Sequence, residues 1–405
     1  MAKQKFGVWF VGARGGVASV ASLGLAALQR RLTAGAGLVS ELPWFAALGL
    51  VDWKDLVVGG HDIRTEPLVE SLTKLTGREA AVDPELLKAT KRDLAKMERN
   101  IRLGTLHNVG DAISHLADGR HRRKQESPRE IIERLQADLT DFQRRQRLED
   151  VVVVNLASTE PPLDDRAVPR KWNELEKALS QPRKCPKLSA SSLYAIAALD
   201  LGFPYVNFTP SIGSSLRAIA DLARERQTCH AGRDGKTGET LVKSTLAPMF
   251  FKRNLEVMSW VGHNIFGNMD GQVLKDPANK QSKVVSKDKI LGEILGYHPQ
   301  SHISIEFIES LGDWKTAWDH IHFRGFLGTP MKMQFTWQGS DSLLAAPLVL
   351  DLARFALKAR QAGTVGTLKF LASFFKSPMD VKENDFGEQF RMLVEWSKSL
   401  EAAKP

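Results

Sequence analysis

The chain has 405 residues, of which 43% are hydrophobic and 25% charged, a composition typical of globular proteins that excludes a disordered or collagen-like chain. Its two cysteines, Cys185 and Cys229, lie far apart without a CxxC partner. This excludes a disulfide framework and a cysteine-built zinc site, and it fits a reducing compartment. No apolar stretch approaches the roughly 20 residues of a membrane span, and no signal-peptide core follows residues 1–5. We therefore expect a cytoplasmic protein without a membrane partner.

The net charge of +9 admits nucleic acid, a membrane surface or phosphorylated small molecules as partners. The densest basic run, residues 120–124, lacks the interleaved aromatic residues of a groove that binds single strands. We interpret this run as a solvated loop and expect no nucleic-acid partner.

The first half of the chain alternates predicted strands and helices. Residues 6–11, FGVWFV, predict a buried strand, which a glycine-rich turn and a small-residue helix over residues 18–29 follow. This order predicts a doubly wound α/β domain whose strand ends carry ligand contacts. Further strands are predicted at residues 56–58, 151–155 and 205–208, and a further helix at residues 191–201.

Residues 83–147 interrupt this alternation with two helical patterns. Asp83 is suited to cap a helix that Pro84 begins. Ser127 and Glu130 have the spacing of a capping box, and the apolar residues after them recur on one helix face. The segment is predicted to be a helical insertion.

After about residue 232 the pattern changes to strands separated by turn residues. Strands are predicted at residues 256–261, 302–308 and 332–335, and a long apolar helix at residues 342–358. This pattern predicts an α+β domain beside the first domain.

The glycine turn after the first strand is the first candidate site. In GARGGVAS, residues 12–19, the glycines allow close backbone approach, and the next helix offers unpaired amides to a pyrophosphate. The turn departs from GxGxxG because Arg14 occupies the second glycine position. Its place after the first strand favours a dinucleotide site over a merely structural turn, with Asp52 or Asp62 as the partner of ribose hydroxyls.

Segments rich in lysine and aspartate in the later half form the second candidate site. Taken singly, each is more consistent with a polar turn between strands. A lysine becomes a catalyst only where burial or neighbouring cations lower its pKa. The segments are GRDGKTGETLVKS at 232–244, GNMDG at 267–271, SKVVSK at 282–287, GDWK at 312–315 and SDSLL at 340–344.

Taken in order, these segments resemble the inositol-3-phosphate synthase family, also called myo-inositol-1-phosphate synthase, over nearly the whole chain. GVWFVGARGGVAS is similar to the family's GxGGxxxT/S cofactor loop, GGHDI to GGWDI, and NLASTE to the ANTE turn. ASSLYAIAALDLGFPYVNFTP resembles ASTLYAIAxxxxGxPxxNGSP, and GRDGKTGETLVKS resembles GDDFKSGQTKxKS. GHNIFGNMDG is similar to NHLGNNDG, SKVVSK to SKEISK, ESLGDWKTAWDH to PVGDSKxAMDEY, and SDSLLAAPLVLDL to EDSLLATPLIIDL. So many blocks in one order are far more specific than a single glycine loop.

The resemblance implies a Rossmann-type NAD-binding domain with a helical insertion and an α+β domain for catalysis and tetramer formation. We expect residues 1–210 and 341–405 in the NAD-binding domain and residues 211–340 in the catalytic domain. The implied activity converts D-glucose 6-phosphate to 1D-myo-inositol 3-phosphate, within inositol and phospholipid-precursor biosynthesis. The implied assembly is a homotetramer.

The implied reaction oxidises C5, enolises at C6, closes the ring by an aldol step on the C1 aldehyde, and reduces the ring ketone with the same NADH. Ammonium groups stabilise the negative charge that develops on oxygen, and other lysines hold the phosphate. The family's last active-site lysine falls on Lys382, eight residues before Phe390, although the intervening residues match poorly. The other catalytic positions implied are Lys283, Lys287, Lys315, Asp234, Asp270 and Asp341. The cofactor-binding positions implied are Gly12, Ala13, Arg14, Gly15, Gly16, Val17, Asp62, Ser158, Thr159, Asp234, Asn268 and Asp341.

Departures from the family pattern leave alternatives open. A diverged member that cyclises another sugar phosphate fits them, a non-catalytic NAD-binding protein predicts lost lysines, and an ordinary dehydrogenase predicts net NADH release. The family includes members that use a divalent metal and others that use a monovalent cation, and no motif here decides between them. His320 and His322 have the spacing of two metal ligands on a strand, yet they fall in the segment similar to the family's AMDEY helix, where a spacing of two points side chains apart. The departures are Arg14 in the glycine turn, Arg233 and Gly235 in GRDGK, and Leu241 where the family has a lysine.

Overall fold

The computed structural model describes residues 4–76, 81–118, 126–181, 185–267 and 290–402. No helix within these ranges is long and apolar enough to cross a membrane. The strands are, in chain order, β1 (Lys5–Val11), β2 (Leu56–Asp62), β3 (Ile101–Leu103), β4 (Leu148–Asn155), β5 (Tyr205–Asn207), β6 (Cys229–Gly232), β7 (Glu256–Phe266), β8 (Gln300–Phe307), β9 (Trp314–Arg324), β10 (Pro330–Ser340) and β11 (Gly366–Thr367). The α-helices are α1 (Gly16–Gln29), α2 (Leu68–Lys74), α3 (Pro84–Glu98), α4 (Asp111–Ser114), α5 (Pro128–Gln146), α6 (Trp172–Leu179), α7 (Ala190–Asp200), α8 (Arg217–Glu225), α9 (Gly238–Lys252), α10 (Asp341–Gln361) and α11 (Phe386–Ala402).

A seven-stranded sheet with the order β11-β6-β5-β4-β1-β2-β3 dominates the fold, and all its strands are parallel. The chain runs outward from β1 through β2 to β3 and then returns to β4, on the other side of β1. The strand order therefore reverses between β1 and β4, where a crevice opens at the carboxyl ends of the strands. The prediction of a doubly wound sheet is confirmed.

Helices cover both faces of this sheet, which explains why its central strands are apolar without alternation. Val8 and Phe10 of β1 pack in one hydrophobic core with residues of α1 and α10. Trp9 and Val11 point the other way and pack in a second core with residues of α5 and α7. Burial on both sides fixes the direction of β1, and thereby the position of the glycine turn that follows it.

The helical insertion predicted at residues 83–147 contains both predicted helices and, in addition, one short strand that the sequence did not indicate. Asp83 caps α3 and the Ser127–Glu130 capping box begins α5, as predicted. Between these helices, however, β3 pairs in parallel with β2 as the edge strand of the seven-stranded sheet. A strand of three residues is too short to show a period of two, so the helical patterns on either side obscured it.

The second sheet has four strands in the order β10-β9-β7-β8. Alternate residues of β7 and β9, among them Trp260 and Ile321, are buried in a core with α9, whereas the residues between them are more exposed. His320 and His322 lie in β9, so the helix inferred from the family's AMDEY segment is wrong here. Both side chains lie on the less buried face, because residues two apart in a strand share a face.

The last part of the chain returns to the seven-stranded sheet. Helix α10 packs in the core beside α1, and β11 pairs with β6 at the edge of the sheet. Helix α10 begins directly after β10, so it runs from the four-stranded sheet back into the core of the first sheet. The division of the chain at residues 210 and 340 stays a prediction.

Candidate functional site

A cavity of about 710 Å³ lies at the carboxyl ends of β1 and β4 and extends to the end of β7 and the start of β9. Its lining comes from the glycine turn, the end of β2 and the 156–160 turn, and also from the 232–237 loop, β9 and the first turn of α10. The cavity is thus lined by residues of both sheets.

The glycine turn has the shape that a bound phosphate group needs. Gly12 has a φ of +82°, and a Cβ at this position would lie 3.0 Å from the backbone of Ala157. The N-cap of α1, Gly15, has no side chain that could cap the helix, and the first turn contains no acidic residue. The N-terminal amides of α1 and the positive end of its dipole can therefore receive an anion. Ala13 belongs to the same turn, and Gly12, Arg14, Gly15, Gly16 and Val17 line the cavity.

Asp62 and Arg14 hold the turn in place. The Asp62 carboxylate accepts hydrogen bonds from the backbone N–H of Arg14 at 2.6 Å and of Arg64 at 2.8 Å. The Arg14 guanidinium donates to Glu98 and to the Arg64 carbonyl, at 3.0 and 2.6 Å. Arg14 thus braces the turn, and its charge is balanced by Glu98. Asp52, the other candidate ribose partner, caps a short 3-10 helix outside the cavity lining.

The turn after β4 is anchored by a buried carboxylate. Ser158 and Thr159 line the cavity, as does Glu160. The Glu160 side chain accepts hydrogen bonds from the N–H of Ser191, at 2.7 Å, and from the Ser191 hydroxyl. Burial raises the pKa of Glu160. Because Glu160 ties the turn to the start of α7, Ser158 and Thr159 are held against the cavity.

Lys315 and Asp341 face each other across the part of the cavity nearest the second sheet. The Lys315 Nζ lies 3.8 Å from an Asp341 carboxylate oxygen and 5.4 Å from the centre of the Phe266 ring. Asp313, which the sequence analysis did not single out, accepts hydrogen bonds from the N–H and hydroxyl of Ser342, at 3.1 and 2.7 Å. Burial raises the pKa of Asp313. The sequence signal that could have identified Asp313 as a site residue is its position in GDWK, two residues before Lys315.

Asp234 pairs with a lysine that the sequence analysis missed. The Lys376 Nζ donates to an Asp234 oxygen at 3.0 Å, and both residues line the cavity. Asp234 has a φ of 63°, and its carbonyl accepts from the Lys376 N–H at 2.6 Å. Lys382, by contrast, is exposed and outside the cavity lining, because the chain has already turned outward toward α11. The eight-residue spacing to Phe390 therefore pointed to a lysine that the fold does not bring to the site.

Four of the predicted site residues lie outside the described residues: Asn268, Asp270, Lys283 and Lys287. The basic run at residues 120–124 also lies outside them. Within the described ranges no group of three or more His, Cys, Asp or Glu side chains is arranged to hold a metal ion.

Comparison with known proteins identifies what the chain is similar to. The family model for myo-inositol-1-phosphate synthase matches residues 6–398. Inositol-3-phosphate synthase 1 of Bacteroides thetaiotaomicron is 31% identical over 430 aligned positions, which cover 98% of this chain and 96% of that protein. Inositol-3-phosphate synthase of Spirodela polyrhiza is 30% identical over 78% of this chain, which spans only 62% of that longer relative.

Solved structures agree on the fold. Inositol-3-phosphate synthase from Caenorhabditis elegans superposes with a TM-score of 0.86 at 22% identity, over 98% of this chain and 86% of that one. A myo-inositol-1-phosphate synthase-related protein from Thermotoga maritima gives 0.78 at 24% identity, over 98% and 99%.

Proposed function

Because the chain belongs to the myo-inositol-1-phosphate synthase family, we propose that its cavity converts D-glucose 6-phosphate to 1D-myo-inositol 3-phosphate with NAD as an internal redox cofactor. One observation carries the proposal. The glycine turn at the start of α1 and two lysine–aspartate pairs, Lys315 with Asp341 and Lys376 with Asp234, line the same cavity. A redox cofactor and an ammonium-assisted carbon–carbon bond closure need these two features side by side.

The glycine-turn half of the cavity fits NAD. The N-terminal amides of α1 suit the pyrophosphate, and Asp62 at the end of β2 occupies the position of a ribose partner. Val109, Ile113 and Leu116 supply an apolar lining beside this end of the cavity, suited to an adenine ring. When bound, NAD supplies the acceptor and donor of hydride.

The two lysines supply the charge stabilisation. Each ammonium lies against a carboxylate in a largely buried wall, where the low local dielectric strengthens its attraction to a substrate oxygen that becomes negative. Asp341 and Asp234 orient the ammonium groups. Each lysine can donate a proton to the substrate oxygen as it gains negative charge and accept the proton again as that charge is lost. We assign to Lys376 the role that sequence matching gave to Lys382. Lys283, Lys287, Asp270 and Asn268 retain the roles that their motifs suggest, in phosphate, substrate and cofactor binding.

We place the assembled enzyme, a homotetramer, in the cytoplasm. Two observations support self-association through the second sheet. The face of β9 away from α9 exposes Trp318, and the β9–β10 hairpin exposes Phe326 and Leu327 at 88% and 86% of their surface. Side chains of this kind are enriched in protein interfaces. Size-exclusion chromatography with light scattering tests the assembly, and a monomer at micromolar concentration would contradict it.

A direct product assay tests the activity. The purified protein is incubated with glucose 6-phosphate and NAD, with potassium, ammonium or a divalent metal in separate reactions, and products are identified by phosphorus NMR against inositol phosphate standards. We expect an inositol monophosphate with no net NADH. Stoichiometric NADH would identify an ordinary dehydrogenase. Absence of product with NAD binding intact would point to a different sugar phosphate.

A further inference from the structure

Gly235 and the Phe208 ring contact each other in the cavity wall. Gly235 lies in the 232–237 loop, Phe208 follows β5 directly, and both line the cavity. A Cβ built on Gly235 would lie 2.1 Å from the Cζ atom of the Phe208 ring. The ring therefore fills the space into which a side chain at position 235 would project.

The two positions carry exchanged residues relative to the family pattern. The family segment NGSP reads NFTP here, with Phe208 in place of its glycine. The family segment GDDFK reads GRDGK here, with Gly235 in place of its phenylalanine. Because the Phe208 ring occupies the space that a Cβ at position 235 would need, only glycine fits at position 235 while Phe208 is present.

The two segments are joined to each other, so their changes are coupled. The N–H groups of Asp234 and Gly235 donate to the carbonyls of Thr209 and Phe208, at 3.0 and 2.9 Å. Arg233, a further departure from the family pattern, donates through its guanidinium to the Pro210 carbonyl at 3.2 Å. Departures that look independent along the chain thus meet at one contact.

We propose that Phe208 and Gly235 are two compensating replacements relative to the family pattern. Together they keep one aromatic ring in the cavity wall, but the residue directly after β5 carries the ring instead of the 232–237 loop. In this arrangement Phe208 is a positioning residue. Its ring packs over the backbone of Gly235, next to Asp234, and so helps to fix the Asp234–Lys376 pair. The part of this inference that concerns turnover rests on the proposed function.

A double-variant cycle tests the exchange in the full-length protein. The variants are Phe208→Gly, Gly235→Phe and the two combined, with Phe390→Gly as a control for loss of a partly buried phenylalanine outside the cavity lining. Melting temperature, NAD affinity, kcat and KM are measured for each. We expect Phe208→Gly to lower kcat by about 100-fold, the effect of a misplaced catalytic group, while the Kd for NAD stays within about threefold.

The combined variant decides the question. We expect it to melt above both single variants and to recover kcat to within about tenfold of the unmodified chain, because contacting residues that exchange volume are non-additive. An additive loss would overturn the proposal, as would a Phe208→Gly variant that loses stability but keeps its kcat. If Gly235→Phe alone does not fold, a folded combined variant supports the exchange and an unfolded one refutes it. If the unmodified chain makes no inositol phosphate, the proposed function fails, and the melting temperatures still decide the exchange.

Discussion

Replacing Lys376 with methionine tests whether Lys376, and not Lys382 as the sequence motif suggested, is the catalytic lysine. Methionine keeps most of the length and apolar surface of the side chain and removes its charge. The Lys376 Nζ lies 3.0 Å from Asp234, and the two side chains are only 20% and 13% exposed. At about 4 Å from a developing oxyanion and an effective dielectric constant of about 20, one ammonium stabilises the charge by about 4 kcal/mol before desolvation is subtracted.

The expected net loss is about 3 kcal/mol of transition-state stabilisation, or about a 100-fold decrease in kcat. The assay is product formation under substrate saturation, with NAD affinity followed by tryptophan or NADH fluorescence. Lys382→Met is the matched control, because Lys382 is exposed and outside the cavity lining. We expect its kcat to stay within about twofold of the unmodified chain. The reasoning is refuted if Lys376→Met is fully active, or if Lys382→Met is the variant that loses turnover.

Three further outcomes follow from the same structure. Lys315→Ala should abolish turnover and leave NAD bound, since Lys315 lies in β9 and is not part of the glycine turn; wild-type turnover would remove it from the mechanism. Gly12→Ala should raise the Kd for NAD at least about tenfold, because a Cβ at φ +82° meets the Ala157 backbone. Gly363→Ala, at φ +71° with no atom of the described residues within 4 Å of its Cβ, is the control for backbone strain and should bind NAD normally. Burial lowers the pKa of His230 to about 4, so the unfolded chain binds more protons than the folded one between about pH 4 and 6.5. The free energy of unfolding should therefore fall by up to about 3 kcal/mol as the pH drops through this window. Calorimetry of His230→Gln should show a flatter pH dependence, and an unchanged slope would exclude His230 as its source.

The sequence was most informative where local chemistry determines the structure. A buried strand followed by glycines and a small-residue helix predicted the turn that lines the cavity, and the capping residues Asp83 and Ser127 begin their helices as expected. Each of these features depends on residues within a few positions of one another. The resemblance to the family, through the order of the sequence blocks, implied Lys315, Asp234 and Asp341 as site residues. In the structure all three line one cavity.

The predictions from sequence failed where the structure depends on contacts between segments that are distant along the chain. Lys376 reaches the site because residues 374–379 pair with the backbone of the 232–237 loop, more than 130 positions earlier, and no local pattern indicates this pairing. Likewise, β3 is a strand because it pairs with β2, and β9 is a strand because it pairs with β7 and β10 on either side. The exchange between Phe208 and Gly235 became visible only when the fold placed the two positions in contact.

An isotope experiment tests the central claim, a redox cycle closed within one cavity, most directly. D-glucose 6-phosphate carrying deuterium at C5 is converted with unlabelled NAD, and both the inositol phosphate and the nicotinamide cofactor are analysed by mass spectrometry. The proposed mechanism predicts a product that retains its deuterium and a cofactor that ends as unlabelled NAD. Product without deuterium, or deuterated NADH released into solution, would contradict it.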